Sequence, residues 1–217
     1  MRRRAFLGTL ALVPITGTLA ASAGMNVVFD GDGVAAGIGA SPGRGLDAQV
    51  GAALGVQARV QNVAAGTRPV LNCLTMFGQR VAPLYIPEFR ANIIVFQGGR
   101  QDIAQGRGPA RAYAALTDYV AAAHRQGWKV IVLTELRPDD LPAARQADLE
   151  AYNDRVRHNR ARADAVVDFD SEPRLADPVQ RRKSELFNAG GVYPNDGGYA
   201  LLTAMLVPAI KRLGSTA

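Results

Sequence analysis

The 217-residue sequence contains one cysteine, Cys73, and two histidines, His124 and His158, far apart in the chain. A single cysteine excludes a disulfide framework and any paired-cysteine redox or metal motif, and two distant histidines leave little for a zinc site. No metal and no cofactor is expected. Aromatic residues make up only 6% of the chain, and no aromatic stripe accompanies its basic stretches. The formal charge is +6, but Arg2, Arg3 and Arg4 at the extreme N-terminus supply half of it. The densest other basic stretches, Arg155, Arg157, Arg160 and Arg162 and then Arg181-Arg182-Lys183, have Asp148, Glu150, Asp154 and Asp164 interleaved or nearby. That is the pattern of a solvated helix face, and no nucleic-acid partner is expected. Beyond the N-terminus no apolar run approaches the roughly 20 residues that cross a bilayer, and no repeat or low-complexity tract is present.

What is present starts with Arg2 to Arg4, an apolar run from Ala5 to Ala21, and Ala21-Ser22-Ala23. A charged region, a hydrophobic region and an A-x-A site in that order predict a cleaved signal over residues 1 to 23. Pro14 and Gly17 interrupt the run, which at about 16 residues is short for a membrane anchor. The protein is thus expected to be exported, periplasmic or secreted, with a mature chain that starts near Gly24 and folds as one domain to residue 217. Arg3-Arg4-Ala5-Phe6-Leu7 resembles a twin-arginine signal, and an ordinary secretory signal fits the same residues. With 48% apolar and 20% charged residues over its full length, the sequence has the composition of a chain that buries a core.

Short β-branched runs at Asn26 to Asp30, Gln57 to Val63, Ala91 to Gln97, Trp128 to Thr134 and Ala165 to Phe169 predict strands covered on both faces. Helical spacing follows each of them, most clearly over Gly45 to Leu54, Arg68 to Val81, Pro109 to Gln126, Ala143 to Ala163 and Gly198 to Leu213. Five such units imply an α/β fold: a five-stranded parallel sheet between two helical layers, because parallel neighbours need helical crossovers. Chemistry in such folds sits at the C-terminal ends of the strands.

The first strand end admits two readings. Gly31-Asp32-Gly33-Val34-Ala35-Ala36-Gly37 formally matches the pyrophosphate-binding G-x-G-x-x-G/A turn. That turn needs a helix to begin at once, whereas Gly37, Gly39 and Ser41-Pro42-Gly43 keep the stretch irregular, and no acid ends the second strand to hold a ribose. The second reading takes the strand ends together. FDGDGVAAGIGASPG at 29 to 43, QNVAAGTR at 61 to 68, VFQGGRQDI at 95 to 103 and GGVYPNDGGYALL at 190 to 202 resemble the four signature blocks of the SGNH hydrolases, the GDSL esterases and lipases. The resemblance spans residues 26 to 213 and implies a three-layer, flavodoxin-like fold with ester hydrolysis at the first strand end.

The departures fall on the family's catalytic positions. Where the resemblance implies a nucleophilic serine, a histidine base, its orienting aspartate and an oxyanion asparagine, this chain has Gly33, Tyr193, Gly190 and Gln101. Glycine offers no nucleophile, and a phenol with an ordinary pKa near 10 is a poor base at neutral pH. Gln101 keeps an amide on a side chain longer by about 1.5 Å, enough to misplace an oxyanion donor. Gly33, Gly66 and Gln101 remain as candidate oxyanion or ligand-binding groups. Asp32, Gly98, Gly99, Asp102, Pro194, Asn195, Asp196, Gly198 and Tyr199 match the family's pattern. The expectation is a silenced esterase or pseudoenzyme whose partner is a small acyl ester or acylated carbohydrate. The alternative is an active exported esterase or deacetylase with an unrecognised nucleophile.

Other residues read more simply as structural. Ser41 fits a turn or helix cap, and Ser171 and Ser184 lie on the approach to the last block. His124 and His158 read as surface residues of their helices, Cys73 as a small buried hydrophobe and Trp128 as a packing residue. Asp139-Asp140 precedes a helix as a cap and Asp168-Phe169-Asp170 ends a strand, so structural roles are expected of them rather than paired carboxylates or a metal.

Overall fold

The computed structural model describes residues 22–137, 141–176, 185–188 and 191–215. Its strands are β1 (Ser22–Gly31), β2 (Ala58–Asn62), β3 (Phe89–Gln97), β4 (Lys129–Leu133) and β5 (Ala165–Val167). All pairs are parallel, in the order β2-β1-β3-β4-β5. The helices are α1 (Leu46–Leu54), α2 (Val70–Arg80), α3 (Arg100–Ala104), α4 (Pro109–Arg125), α5 (Ala143–Arg157), α6 (Pro173–Ala176) and α7 (Asp196–Ser215).

Strand side chains alternate between faces, and in this sequence both faces are apolar. Val27, Phe29, Ile93, Val95, Ile131 and Leu133 pack against Val50 of α1 and Leu202, Leu206 and Ile210 of α7. Val28, Ile94, Phe96, Val130 and Val132 face the other way, onto Phe77 of α2, Leu116 and Tyr119 of α4 and Tyr152 of α5. The three layers expected from the strand and helix spacing are therefore present. Trp128 is 2% exposed and precedes β4 rather than opening it.

Several element boundaries differ from expectation, and those of β1, α5 and β5 are the most informative. β1 begins at Ser22, not Asn26, and its register with β3 is irregular between Ser22 and Met25. α5 stops at Arg157, six residues before Ala163, because Asn159 and Arg162 take positive φ values of 46° and 60°. Asn159 tolerates that conformation, and its side chain closes the turn by donating to the Ala163 carbonyl at 2.8 Å and accepting the Ala163 N–H at 2.9 Å. β5 ends at Val167, where a 3-10 turn over Phe169–Ser171 takes over.

The order of strands places β1 and β3 side by side, with the chain leaving β1 towards β2 on one side and leaving β3 towards β4 on the other. Loops diverge there and open a crevice beyond the carboxyl ends of the two strands.

Candidate functional site

At the end of β1 the backbone must pass the end of β3 at close range. Gly31 has φ 126°, and a Cβ on it would lie 1.6 Å from the Gln97 carbonyl oxygen, so only glycine fits. The Asp32 N–H then donates to that same carbonyl at 2.9 Å. Residues 33 to 39 form successive turns, closed by Ala36 N–H to Asp32 O at 2.8 Å and Ile38 N–H to Gly33 O at 3.0 Å. No helix begins until Leu46, so this strand end lacks the helix N-terminus that a pyrophosphate would need.

The turns form a socket for Tyr193. A Cβ on Gly33 would lie 2.5 Å from Tyr193 Cε1 and 2.9 Å from its hydroxyl oxygen. Gly39, at φ 98°, backs onto the same residue, and a Cβ there would meet the Tyr193 Cβ at 2.8 Å. The phenol ring therefore occupies the space that a side chain at position 33 would enter. Tyr193 is held from behind by a bridge between Phe187 and Pro194 and by the Asn188 N–H, which donates to the Tyr193 carbonyl at 3.0 Å. Asn195 then caps α7, its Oδ1 accepting from Gly197 N–H at 3.0 Å and Gly198 N–H at 3.2 Å. Asp196 reaches back to accept the Ser41 N–H at 2.7 Å, tying the last block to the first.

Gln101 lies in the short helix α3, and its Nε2 donates to the Gly66 carbonyl at 3.3 Å. A Cβ on Gly66 would strike the Ile38 Cδ1 at 2.3 Å. Gly33, Gly66, Gln101 and Tyr193 thus converge on one crevice, while Gly190 lies outside the described residues. The Gln101 amide is turned to the Gly66 carbonyl. One of the three expected oxyanion groups is thus engaged within the protein. Beside them opens a cleft of about 740 Å³, lined in part by Arg100, Gln101, Asn188 and Tyr193.

Beneath the crevice lies a buried acid pair that the sequence reading missed. Asp32 is 2% exposed and Glu135 1%. Burial pushes the Asp32 carboxyl up to about 7, opposed by a hydrogen bond from Glu135 and by the Arg100 charge. Glu135 is pushed well above the carboxylate range by burial and then by the charge of Asp32. Glu135 therefore keeps the proton and donates it to Asp32. Its backbone is clasped by Asn153, which accepts the Glu135 N–H at 2.9 Å and donates to the Glu135 carbonyl at 2.8 Å. The Arg100 N–H reaches Glu135 Oε1 at 3.3 Å, and Arg100 Nη1 lies 3.4 Å from the Tyr193 hydroxyl with the guanidinium 5.7 Å from the ring centroid. Glu135 sits just past the end of β4, so the strand-end rule was the signal that pointed to it.

The remaining candidates take structural places. Asp168 and Asp170 pair with Arg157 at 2.8 and 2.5 Å, and Asp170 also pairs with Arg137 at 2.8 Å. His124 pairs with Asp164 at 2.8 Å on the surface, and His158 Nδ1 lies 2.6 Å from the Asp154 carbonyl. Burial pushes the Cys73 thiol far up, which leaves it protonated and inert. Ser41 accepts the Arg44 N–H in a turn, and Ser171 bonds the Asp168 carbonyl. Asp139, Asp140 and Ser184 lie outside the described residues. Among the described residues no cluster of potential metal ligands occurs, and no helix is long and apolar enough to cross a membrane.

The model of the GDSL-like lipase/acylhydrolase family matches residues 29–201, from the strand before Gly33 into α7. The chain belongs to this family. A member of the lipolytic G-D-S-L family from Veillonella parvula superposes with a TM-score of 0.74 at 22% identity, covering 87% of this chain and 100% of that one. An acetyl xylan esterase (TM-score 0.67, 16% identity, 85% and 99% covered) shares the fold. So does the psychrotrophic esterase EstA of Pseudoalteromonas sp., solved inhibited by monoethylphosphonate (TM-score 0.65, 14% identity, 86% and 97% covered). A comparison with curated proteins finds no match. These structures share the GDSL fold with this chain.

Proposed function

We propose that this GDSL-family protein is catalytically silent and that its cleft binds an acyl ester or acylated carbohydrate without cleaving it. One observation carries the reading: the Tyr193 ring fills the space that a nucleophilic side chain at position 33 would need. A second supports it, since the Gln101 amide is spent on the Gly66 carbonyl. Acyl transfer needs a nucleophile with a base in reach, and a lone oxyanion hole with binding leaves only about 10³ to 10⁴ of rate enhancement. Neighbours named as esterases make an ester the natural ligand class to try. Incubation with a short-chain chromogenic ester should give no turnover above background, and a serine-directed phosphonate should leave the intact mass unchanged. A phosphonate adduct on any serine overturns the reading. The arginine-led N-terminus further supports export, and protein recovered from periplasm or medium should begin near Gly24; a full-length cytoplasmic product removes that part.

A further inference from the structure

Helices α2 and α4 cover one face of the sheet and pack through Phe77 and Tyr119, whose rings meet edge to face with centroids 5.4 Å apart. Nearer the start of both helices the large side chains give out. Arg111, Ala114, Ala115 and Asp118 recur at the three- and four-residue spacing that aligns them in one stripe along α4, and with Leu71 of α2 they line a cavity of about 220 Å³. The two alanines are too short to fill the space in the middle of the stripe, and Leu71, 40% exposed, gives it an apolar wall. Charges stand at the two ends. Arg111 and Asp118 are seven residues apart, about 10.5 Å along the helix, and among the described residues neither has a hydrogen-bond or ion-pair partner. Arg107, just before α4, adds a second cation at the Arg111 end. Its pair with Asp102 is loose at 3.6 Å, beyond hydrogen-bond length, and the other Asp102 oxygen is committed to the Val70 N–H.

An apolar trough with cations at one end and a carboxylate at the other matches a molecule that carries both charges at the ends of an aliphatic chain. A simple carboxylate or a simple amine satisfies one end only. An α-amino acid has both charges, but they are adjacent and cannot reach the two ends together. We propose that this cavity is a second ligand site, which takes an elongated zwitterion with its carboxylate on Arg107 and Arg111, its ammonium on Asp118 and its methylenes against Leu71, Ala114 and Ala115. None of the described residues lining it also lines the cleft beside Tyr193, so the site stands whether or not the crevice cleaves its own ligand.

Calorimetric titration of the purified protein at pH 7 and low ionic strength with ε-aminocaproate, caproate, hexylamine and glycine tests it. Charge-assisted hydrogen bonds at both ends should make ε-aminocaproate bind about tenfold tighter or more than any of the other three. Asp118→Asn should bring it down to the affinity of caproate, and Arg111→Gln should cut its advantage over hexylamine severalfold, with Arg107 keeping the rest. Both substitutions fall on the exposed side of α4, and the wild-type comparison of the four probes stands even if a variant melts early. Absence of heat from ε-aminocaproate overturns the site, as does equal binding of ε-aminocaproate and caproate. A preference that survives Asp118→Asn also overturns it, since the ammonium would then be held elsewhere. No probe is an ester, so none of these outcomes bears on the silent reading of the crevice.

Discussion

A methyl group added to Gly33 has no room while Tyr193 keeps its place, because its carbon would sit 2.5 Å from the ring. Glycine at 33 and tyrosine at 193 are therefore one feature, a ring seated where a side chain is missing. Gly33→Ser alone should give no hydrolysis and should lower stability by roughly 1–3 kcal/mol, the usual cost of overpacking a filled site. Adding Tyr193→His replaces the phenol with a shorter ring, and the melting temperature should recover most of that loss. Calorimetric melts of the two variants check this, and equal stability of wild type and Gly33→Ser would mean the ring moves aside freely. Extending the pair with Gly190→Asp and Gln101→Asn restores the full set of groups the family uses, which act as a unit. The quadruple variant should hydrolyse a short-chain ester several orders of magnitude faster than either single substitution. A normally folded quadruple variant inactive across acyl chain lengths would show that the crevice no longer admits an acyl group.

Helices α2 and α3 are joined through Asp102. α2 starts at Val70 after Pro69, which has no side chain to cap it, and the Val70 N–H is instead bonded by Asp102 Oδ2 at 2.8 Å. A carboxylate at a helix N-terminus satisfies an orphan donor and opposes the positive end of the dipole. Asp102→Ala should cost about 1–2 kcal/mol, as loss of a good cap does, and Asp102→Asn should recover part of it. Urea midpoints of the two variants measure the difference. The same elements show what a sequence reveals. Strands β1, β3 and β4 and helices α1, α2, α4 and α7 were legible within a few residues, because their apolar spacing is also their burial pattern. α3 was not, since five residues are too few to show a helical period. The end of α5 depended on Asn159 turning left-handed, which apolar spacing does not report. The convergence of Gly33, Gly66, Gln101 and Tyr193 was readable from the order of the motif blocks. The contact of ring with glycine was not, nor was the Asp32 and Glu135 pair, because residues a hundred apart meet only once the strand order is known.

At the scale of the whole molecule, the acid pair under the crevice sets a direction for stability against pH. The Asp32 carboxyl is raised from 3.8 to about 7, so between those values the folded chain retains a proton that the unfolded chain has released. The folded state then binds more protons than the unfolded one, and stability falls as pH rises. Glu135 extends the trend, since its carboxyl is pushed well above the ordinary range. Burial raises Asp30 and Asp102 as well, with the same sign. Glu172, lowered by its hydrogen bond from Arg174, has the opposite sign but is a largely solvated pair that contributes little. The urea midpoint should therefore decline from about pH 4 to about pH 7, the span set by Asp32. Glu135→Gln separates the pair from the other carboxyls. It removes one buried acid while its amide still donates to Asp32, whose ionisation no longer opposes a second carboxyl, so the decline should become shallower and the variant more stable than wild type at pH 8. A slope unchanged by Glu135→Gln would place the proton elsewhere. The pair is thus held at a cost to the fold, at the base of the one crevice where the motif blocks converge.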